Sequence, residues 1–343
     1  MARFLGDQNK VVGVHESGLY ASRYGAAGAG SVFWVGQVTS HSFDDDEGFI
    51  ESRFMGTTTR NFDRFDEGPT NFTGTLEYAP QDMRLVLYSI GSIASTSGIQ
   101  SHHRATEIDS DVRQSAFTSG TLNPPLSFTL EDSKQSPGTG RNFVRTIQGI
   151  VPNTTTLSLT ENEKTTVSID YMAQILDSGS GATTAVTEIT TRPYLWSDTQ
   201  LSFGRGANLG STLQTVKAIE LVINQNRTGP HYLTGSREMS VPFNGNRDYN
   251  LSVTMDLDGT EADLLYNTFF RAGSEFHATL DLNGDTTVGS KHAIFIMSGC
   301  RIITMDNPSE NEGLTETTIE VRPKTLFAEE YQADIVSGII TPY

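Results

Sequence analysis

A chain of 343 residues, 36% hydrophobic and 19% charged, is long enough to bury a core in two domains, or in one domain with a duplicated core. Its net charge of −17 disfavours a static grip on a phosphate backbone, which needs clustered Lys and Arg, and its single cysteine, Cys300, excludes an intramolecular disulfide framework and a Cys-rich metal site. No apolar run reaches membrane-spanning length and the N-terminal "MARFLGDQNK" lacks a signal-peptide core, so the reading is a soluble protein made in a cytoplasm.

Gly, Thr, Ser and Asn are plentiful, the balance of a strand-and-turn protein. After an N-terminal arm, residues 1–31, "SVFWVGQVTSHSF" predicts a strand that leads through the acidic "DDDEG" into a second strand, "FIESRFMG". The run Asp44, Asp45, Asp46 and Glu47 reads as a solvated loop or as one half of a subunit contact. "GTLEYAPQDMRLVLYSIGS", residues 74–92, predicts a strand and then a short helix from about Gln81 to Ile90. A polar stretch without periodicity follows and reads as a long inserted loop near 92–125. It contains the one tight histidine cluster, His102-His103-Arg104, which reads as solvated or interfacial rather than metal-binding. "GIVPNTTTLSLTENEKTTVSIDYMAQ", residues 149–174, alternates Leu157 and Leu159, then Val167, Ile169 and Tyr171, about a polar tip, and predicts a β-hairpin.

A Gly/Ser/Thr-rich joint, residues 176–195, separates this half from a second series. "TVKAIELVINQN" leads through "RTGPHYLTG" to "SREMSVPF", another predicted strand pair. "VTMDLDGTEADLLYNTFFRAGS", residues 253–274, repeats strand, acidic turn and short helix, with Thr260 as the N-cap. "DLNGDTTVG", residues 281–289, starts like a calcium loop at Asp281, Asn283 and Asp285. Thr286 then replaces the required Gly and His292 the closing Glu, so a hairpin turn on Asn283-Gly284 is the better reading. "GCRIITMDNPSENEGLTETTIEVRPK", residues 299–324, echoes the first hairpin: Gly149 with Gly299, Ile169 with Ile319 and Tyr171 with Val321 stand at a constant offset of 150. The helices are offset by 182, so the first copy carries 32 extra residues.

The expected fold is mainly β: two tandem antiparallel barrels or sandwiches, residues 32–175 and 196–324, each flanked by one short helix, with a C-terminal arm over 325–343. The chain has no P-loop, no G-x-G-x-x-G after a strand, no HExxH and no G-x-S-x-G, and no catalytic, cofactor or metal site is predicted. Trp34 and Trp196 read as core or interface anchors. A duplicated β core without chemistry points to a structural subunit rather than an enzyme. A carbohydrate- or receptor-binding β-sandwich module is the alternative from another class.

The run from "SRFMGTTTRNFDRFDEGPTNFTGTLEYAPQDMRLVLYSIGS" through "FTLEDSK" to "RTIQGIVPNTTTLSLTENEKTTVSIDYMAQ" resembles the tail tube (major tail) protein of long-tailed double-stranded DNA viruses of bacteria and archaea. The resemblance covers roughly residues 32–322 and rests on the order of elements and their repetition. It implies six-position rings that stack into a tail tube within the virion, assembled in the host cytoplasm. Two copies per chain would fill such a ring with a homotrimer of pseudo-sixfold symmetry. The implied partners are the chain itself, a tape measure protein, a tail terminator and tail-tip or baseplate proteins. Viral DNA would be met only in transit through the lumen, with no membrane involved. A terminator or baseplate hub of the same fold is the nearest rival. Glu77 and Asp170, at strand positions opposite the apolar alternation, are the expected lumen acids. Asp44, Asp45, Asp46 and Glu47, with the long loop and the arms, are the expected contacts between stacked rings.

Overall fold

The computed structural model describes residues 9–16, 32–52, 64–96, 101–107, 126–135, 142–179, 189, 191–204, 211–233, 235–256, 264–284, 291–306 and 316–332. The first half of the chain supplies β1 (Asn9–His15), β2 (Val32–Trp34), β3 (Gln37–Asp46), β4 (Phe49–Ser52), β5 (Arg64–Glu67) and β6 (Asn71–Ala79). Helix α1 (Arg84–Leu87) precedes β7 (Ser92–Thr96), β8 (Ser101–Thr106), β9 (Phe128–Gln135), β10 (Asn142–Thr160), β11 (Thr166–Ala173) and β12 (Ile175–Gly179). The second half supplies β13 (Thr199–Gly204), β14 (Ser211–Thr212), β15 (Val216–Asn224) and β16 (Asp248–Asp256). A helix of π winding, α2 (Leu264–Arg271), leads to β17 (Phe276–Asn283), β18 (His292–Met305), β19 (Glu316–Arg322) and β20 (Thr325–Gln332).

One long antiparallel sheet runs through both halves in the order β3-β6-β11-β10-β15-β16-β19-β18. Two outer sheets pack on it. The first has the order β2-β1-β9-β10-β12 and the second β14-β13-β17-β18-β20-β8-β7. Strict alternation makes this layering possible: along β16, Tyr249, Leu251, Val253 and Met255 are buried while the residues between them are not. Leu76, Leu157, Ile169, Leu221, Val253 and Ile319 of the long sheet meet Leu130, Ile147, Leu280 and Phe295 of the outer sheets in one core. Each such side chain stabilises the fold by about 1.5–3 kcal/mol.

The two longest strands each serve two sheets. β10 and β18 leave an outer sheet and enter the long one just past Gly149 (φ 67) and Gly299 (φ 62), where the backbone adopts a left-handed conformation that disfavours a side chain. The breaks in register also recur. β10–β11 slips between Pro152 and Thr154, and β18–β19 between Ile302 and Thr304. β3–β6 slips between Val38 and Ser40, and β15–β16 between Val216 and Ala218. Beyond β3 the chain turns at Gly48 (φ 52), and beyond β15 at Asn226 (φ 45).

The mainly β, antiparallel architecture is as expected, with four local differences. The loop expected near 92–125 begins as the hairpin β7–β8, which extends the second outer sheet by pairing with β20. Only Ile93 and Ala105 are shown to reach the core from it, too little apolar content to mark a strand in sequence. "SREMSVPF" is not a strand and makes a single bridge, Phe243 with Thr228. Pro242 lacks a ladder donor, and the Met239 side chain fills the space beside Gly229. "FIES" pairs with β5 in a separate two-stranded hairpin. Asn283 pairs with His292 and the Gly284 amide donates to Lys291, so the β17–β18 connection is wider than a two-residue Asn-Gly turn.

Both terminal arms and the joint contribute strands, β1, β20 and β12. Thr260, Asp285, Thr286, the rest of the inserted loop and residues 1–8, 17–31 and 333–343 of the arms lie outside the described residues.

Candidate functional surface

The face of the long sheet that points away from the core is mostly polar, with Met172, Ala218 and Val222 among its apolar positions. Ser, Thr and Asn fill most positions, and the acids are Asp44 and Asp46 of β3, Glu77 of β6, Asp170 of β11, Glu220 of β15, Asp248 and Asp256 of β16, and Glu316 and Glu320 of β19. Period-two alternation puts most of them together: Glu77, Asp170, Glu220, Asp248, Asp256 and Glu320 each flank a buried apolar residue on their own strand. The basic residues described on this face include Lys217 and Arg322, each beside an acid, and Arg301, which stands opposite Arg322. Lys217 lies 2.9 Å from Asp256 and 2.5 Å from Glu316, whose hydrogen bonds raise its ammonium pKa, and Arg322 lies 3.8 Å from Asp248. The face as a whole is strongly negative.

Glu77 and Asp170 are both exposed on this face. Glu77 stands opposite Ser168 and Asp170 opposite Thr75, so the two acids are diagonal neighbours across β6–β11, and the Thr75 hydroxyl donates to Asp170 at 2.7 Å. The acidic run is not a loop. Asp44, Asp45 and Asp46 form the end of β3, which among the described residues pairs only with β6 and is therefore an edge strand. Asp44 and Asp46 share the polar face, Asp45 pairs with Phe72 on the other, and Glu47 follows at the turn with Arg237 3.5 Å away.

Two buried polar clusters had no signal in the sequence, because residues far apart in the chain build them. In the first, Arg145 donates to Asp132 at 2.7 Å, with His41 of β3 3.7 Å from the same carboxylate and hydrogen-bonded to the Tyr171 hydroxyl at 2.7 Å. Burial by itself would raise the Asp132 carboxyl, but the hydrogen bonds and charges of His41 and Arg145 outweigh it and hold the carboxyl at about 2. With side chains only 5% and 6% exposed, His41 and Asp132 are closed to a substrate and tie the edge strand to the first outer sheet.

The second cluster joins the two halves. Glu330 of β20 is fully buried and accepts the Met83 amide at the start of α1 at 2.8 Å. Burial, then the charge of Asp82, push its carboxyl well above the usual range. Burial lowers the Lys291 ammonium to about 8, and that group donates to the Arg192 carbonyl and sits 4.0 Å over the Tyr194 ring.

The remaining candidates are quiet. His102 and His103 lie on β8, and the neighbouring Arg104 guanidinium stacks on Phe327. Cys300 is buried in β18, and burial pushes its thiol up to about 12. Trp34 donates to Gln81 at 2.7 Å, while Trp196 is 43% exposed. Among the described residues no group of three or more His, Cys, Asp or Glu is placed to hold a metal ion.

An extended, charged sheet face of this kind suits assembly with other chains. The sequence profile of a family described as phage tail tube protein matches residues 8–323. The chain belongs to the phage tail tube protein family. No curated protein matches it. As a tail tube protein it is a structural component of the virion tail, where it associates with itself. The polar sheet face and the edge strands β3 and β18 are the surfaces that this role can use.

Proposed function

We propose that this tail tube protein carries two tandem copies of the tube fold and that three chains close one pseudo-sixfold ring. In this reading the first copy contributes β3-β6-β11-β10 to the long sheet and the second β15-β16-β19-β18, and rings stack to form the tube through which viral DNA passes. One observation carries it: the two sets of four strands have the same order and the same two register slips, side by side in one sheet. Each half would then fill one of six equivalent positions, and a heterologous contact that closes after three chains limits lateral growth while stacking stays open.

The polar face would line the lumen. Carboxylates there repel phosphates, so DNA can slide during ejection, whereas a basic lining would bind it. Glu77 and Asp170 are lumen residues in this arrangement. Assembly in the host cytoplasm and contacts with tape measure, terminator and tail-tip proteins complete the reading.

Negative-stain electron microscopy of the purified chain, across concentration and salt, tests it. The expected images are stacked rings with threefold-modulated sixfold symmetry. Monodisperse monomers under every condition would overturn the tube-forming reading, and rings of six chains would overturn the trimer.

A further inference from the structure

The long sheet contains its own template for the contact between chains. At its centre the last strand of the first half, β10, pairs with the first strand of the second, β15: Thr154 with Asn224, Thr155 with Ile223 and Thr156 with Val222. At its two ends stand the counterparts of these strands. β3 matches β15 and the second part of β18 matches that of β10, by strand order and by register slip. Among the described residues neither end has a second partner in the long sheet. An unpaired strand edge is a template for another chain.

We propose that β3 of one chain pairs with residues Ile303–Asp306 of a second copy in the register of the internal β10–β15 seam. This rests on the duplication described above. Carried over position by position, the seam sets Thr304 opposite Asp46, Met305 opposite Asp45 and Asp306 opposite Asp44 of the neighbouring copy. The acidic run then lies within a ring, not between stacked rings.

Three features of the chain fit this seam. The internal one continues past the strands: the Gln225 amide donates to the Asn153 carbonyl at 2.9 Å, and the Arg227 amide to the Asn153 side chain at 2.7 Å. The corresponding residues are Glu47, Ile303 and Phe49. Ile303 and Phe49 are apolar and 52% and 65% exposed, and the seam brings them together.

Next, the Gln225 side chain donates to the Ser89 carbonyl just beyond α1. The positions corresponding to Gln225 and Ser89 hold Glu47 and Arg271, both exposed, so in the seam an ion pair between chains takes the place of the hydrogen bond, beside the 3.5 Å contact of Glu47 with Arg237 of its own chain. Arg271, Arg301 and Arg322 are exposed near one end of the sheet, and Asp44, Asp45, Asp46 and Glu47 at the other, in a chain of net charge −17.

Finally, the two helices differ in burial as the seam requires. α1 sits at the internal seam and is covered on all sides, with even Arg84 only 2% exposed. α2 buries Leu265 and Phe269 but leaves Tyr266 40% exposed, the state of a helix whose cover comes from another molecule.

The test is a disulfide across the seam in the full chain. Paired residues in an antiparallel ladder have Cα atoms about 4.5–5.5 Å apart, within disulfide reach. Asp46→Cys with Thr304→Cys, oxidised under conditions where microscopy shows rings or tubes, is expected to give covalent multimers on a non-reducing gel, ending at the ring's chain number. Each single variant gives at most dimers, and native Cys300 is buried. Assembled rings whose chains remain uncrosslinked would overturn the seam but leave the tube reading standing. A wild-type chain that never assembles overturns both.

A charge exchange provides the second arm, read by sedimentation with circular dichroism as the folding control. Glu47→Arg and Arg271→Glu are each expected to weaken ring formation at least tenfold, and the double variant to recover most of it. A folded double variant no better than the singles counts against the seam.

Discussion

Asp132 illustrates how a buried carboxylate in this protein acts as a tie rather than as a reagent. Its carboxyl is held at about 2 by His41 and Arg145 against the opposing effect of burial. A depressed carboxyl contributes stability that is present above its unfolded value of 3.8 and is lost as pH falls toward 2. Thermal melts between pH 6 and about pH 2 should show this. Asp132→Asn is expected to lower the melting temperature at pH 6, with the difference from wild type closing near pH 2. A constant difference across that range would mean that the carboxylate charge is not what matters. Glu330 has the opposite sign. Its raised value means that folding takes up a proton at neutral pH, so its contribution declines as pH rises above the ordinary carboxylate range.

Among elements, the sheet-switching strands β10 and β18 depend most on single residues. Gly149 and Gly299 have φ of 67 and 62, where a side chain costs about 1–2 kcal/mol. At Gly299 a Cβ would also sit 2.8 Å from Cδ of Lys324, a flexible side chain that can move away. Gly149→Ala and Gly299→Ala are therefore expected to destabilise by about 1–2 kcal/mol each in urea titrations. A neutral result at either site would show that the strand can switch sheets without the left-handed turn. The helices are shaped by position rather than propensity, since α1 and α2 occupy matching places yet differ in how much of their surface the chain itself covers.

On the scale of the whole molecule, the separation of charge is what a tube can exploit. The polar face concentrates carboxylates, and its cations Lys217 and Arg322 lie beside acids. Reversing part of that field gives a direct check on the lumen reading. Glu77→Lys with Asp170→Lys should leave tubes intact, because both side chains are exposed and Asp170 makes only a surface hydrogen bond to Thr75. Such tubes are expected to retain short duplex DNA at low salt, in a filter-binding assay, and to release it steeply as salt rises, while wild-type tubes retain none. Variant tubes that ignore DNA at low salt would place these two acids away from the DNA path.

Strand alternation, the two hairpins and the offset of 150 between them were legible from the sequence, because period-two burial and turn chemistry are local properties. So was the outward facing of Glu77 and Asp170, since each neighbours a buried residue on its own strand. The pairing of β10 with β15 was not, because nothing local distinguishes a strand that ends one half of a sheet from one that continues it. Neither was the docking of β7–β8 onto β20, which makes an apparent loop part of the second outer sheet. Glu330 meets the Met83 amide only through the packing of α1, and Lys291 meets Arg192 and Tyr194 only where the joint folds back on β18. The sequence by itself determined the class of fold and the alternation of each strand. Tertiary structure alone decided which strand edges pair and which are left open, because edge pairing brings together residues far apart in the chain, Thr154 with Asn224 and Phe327 with Thr106.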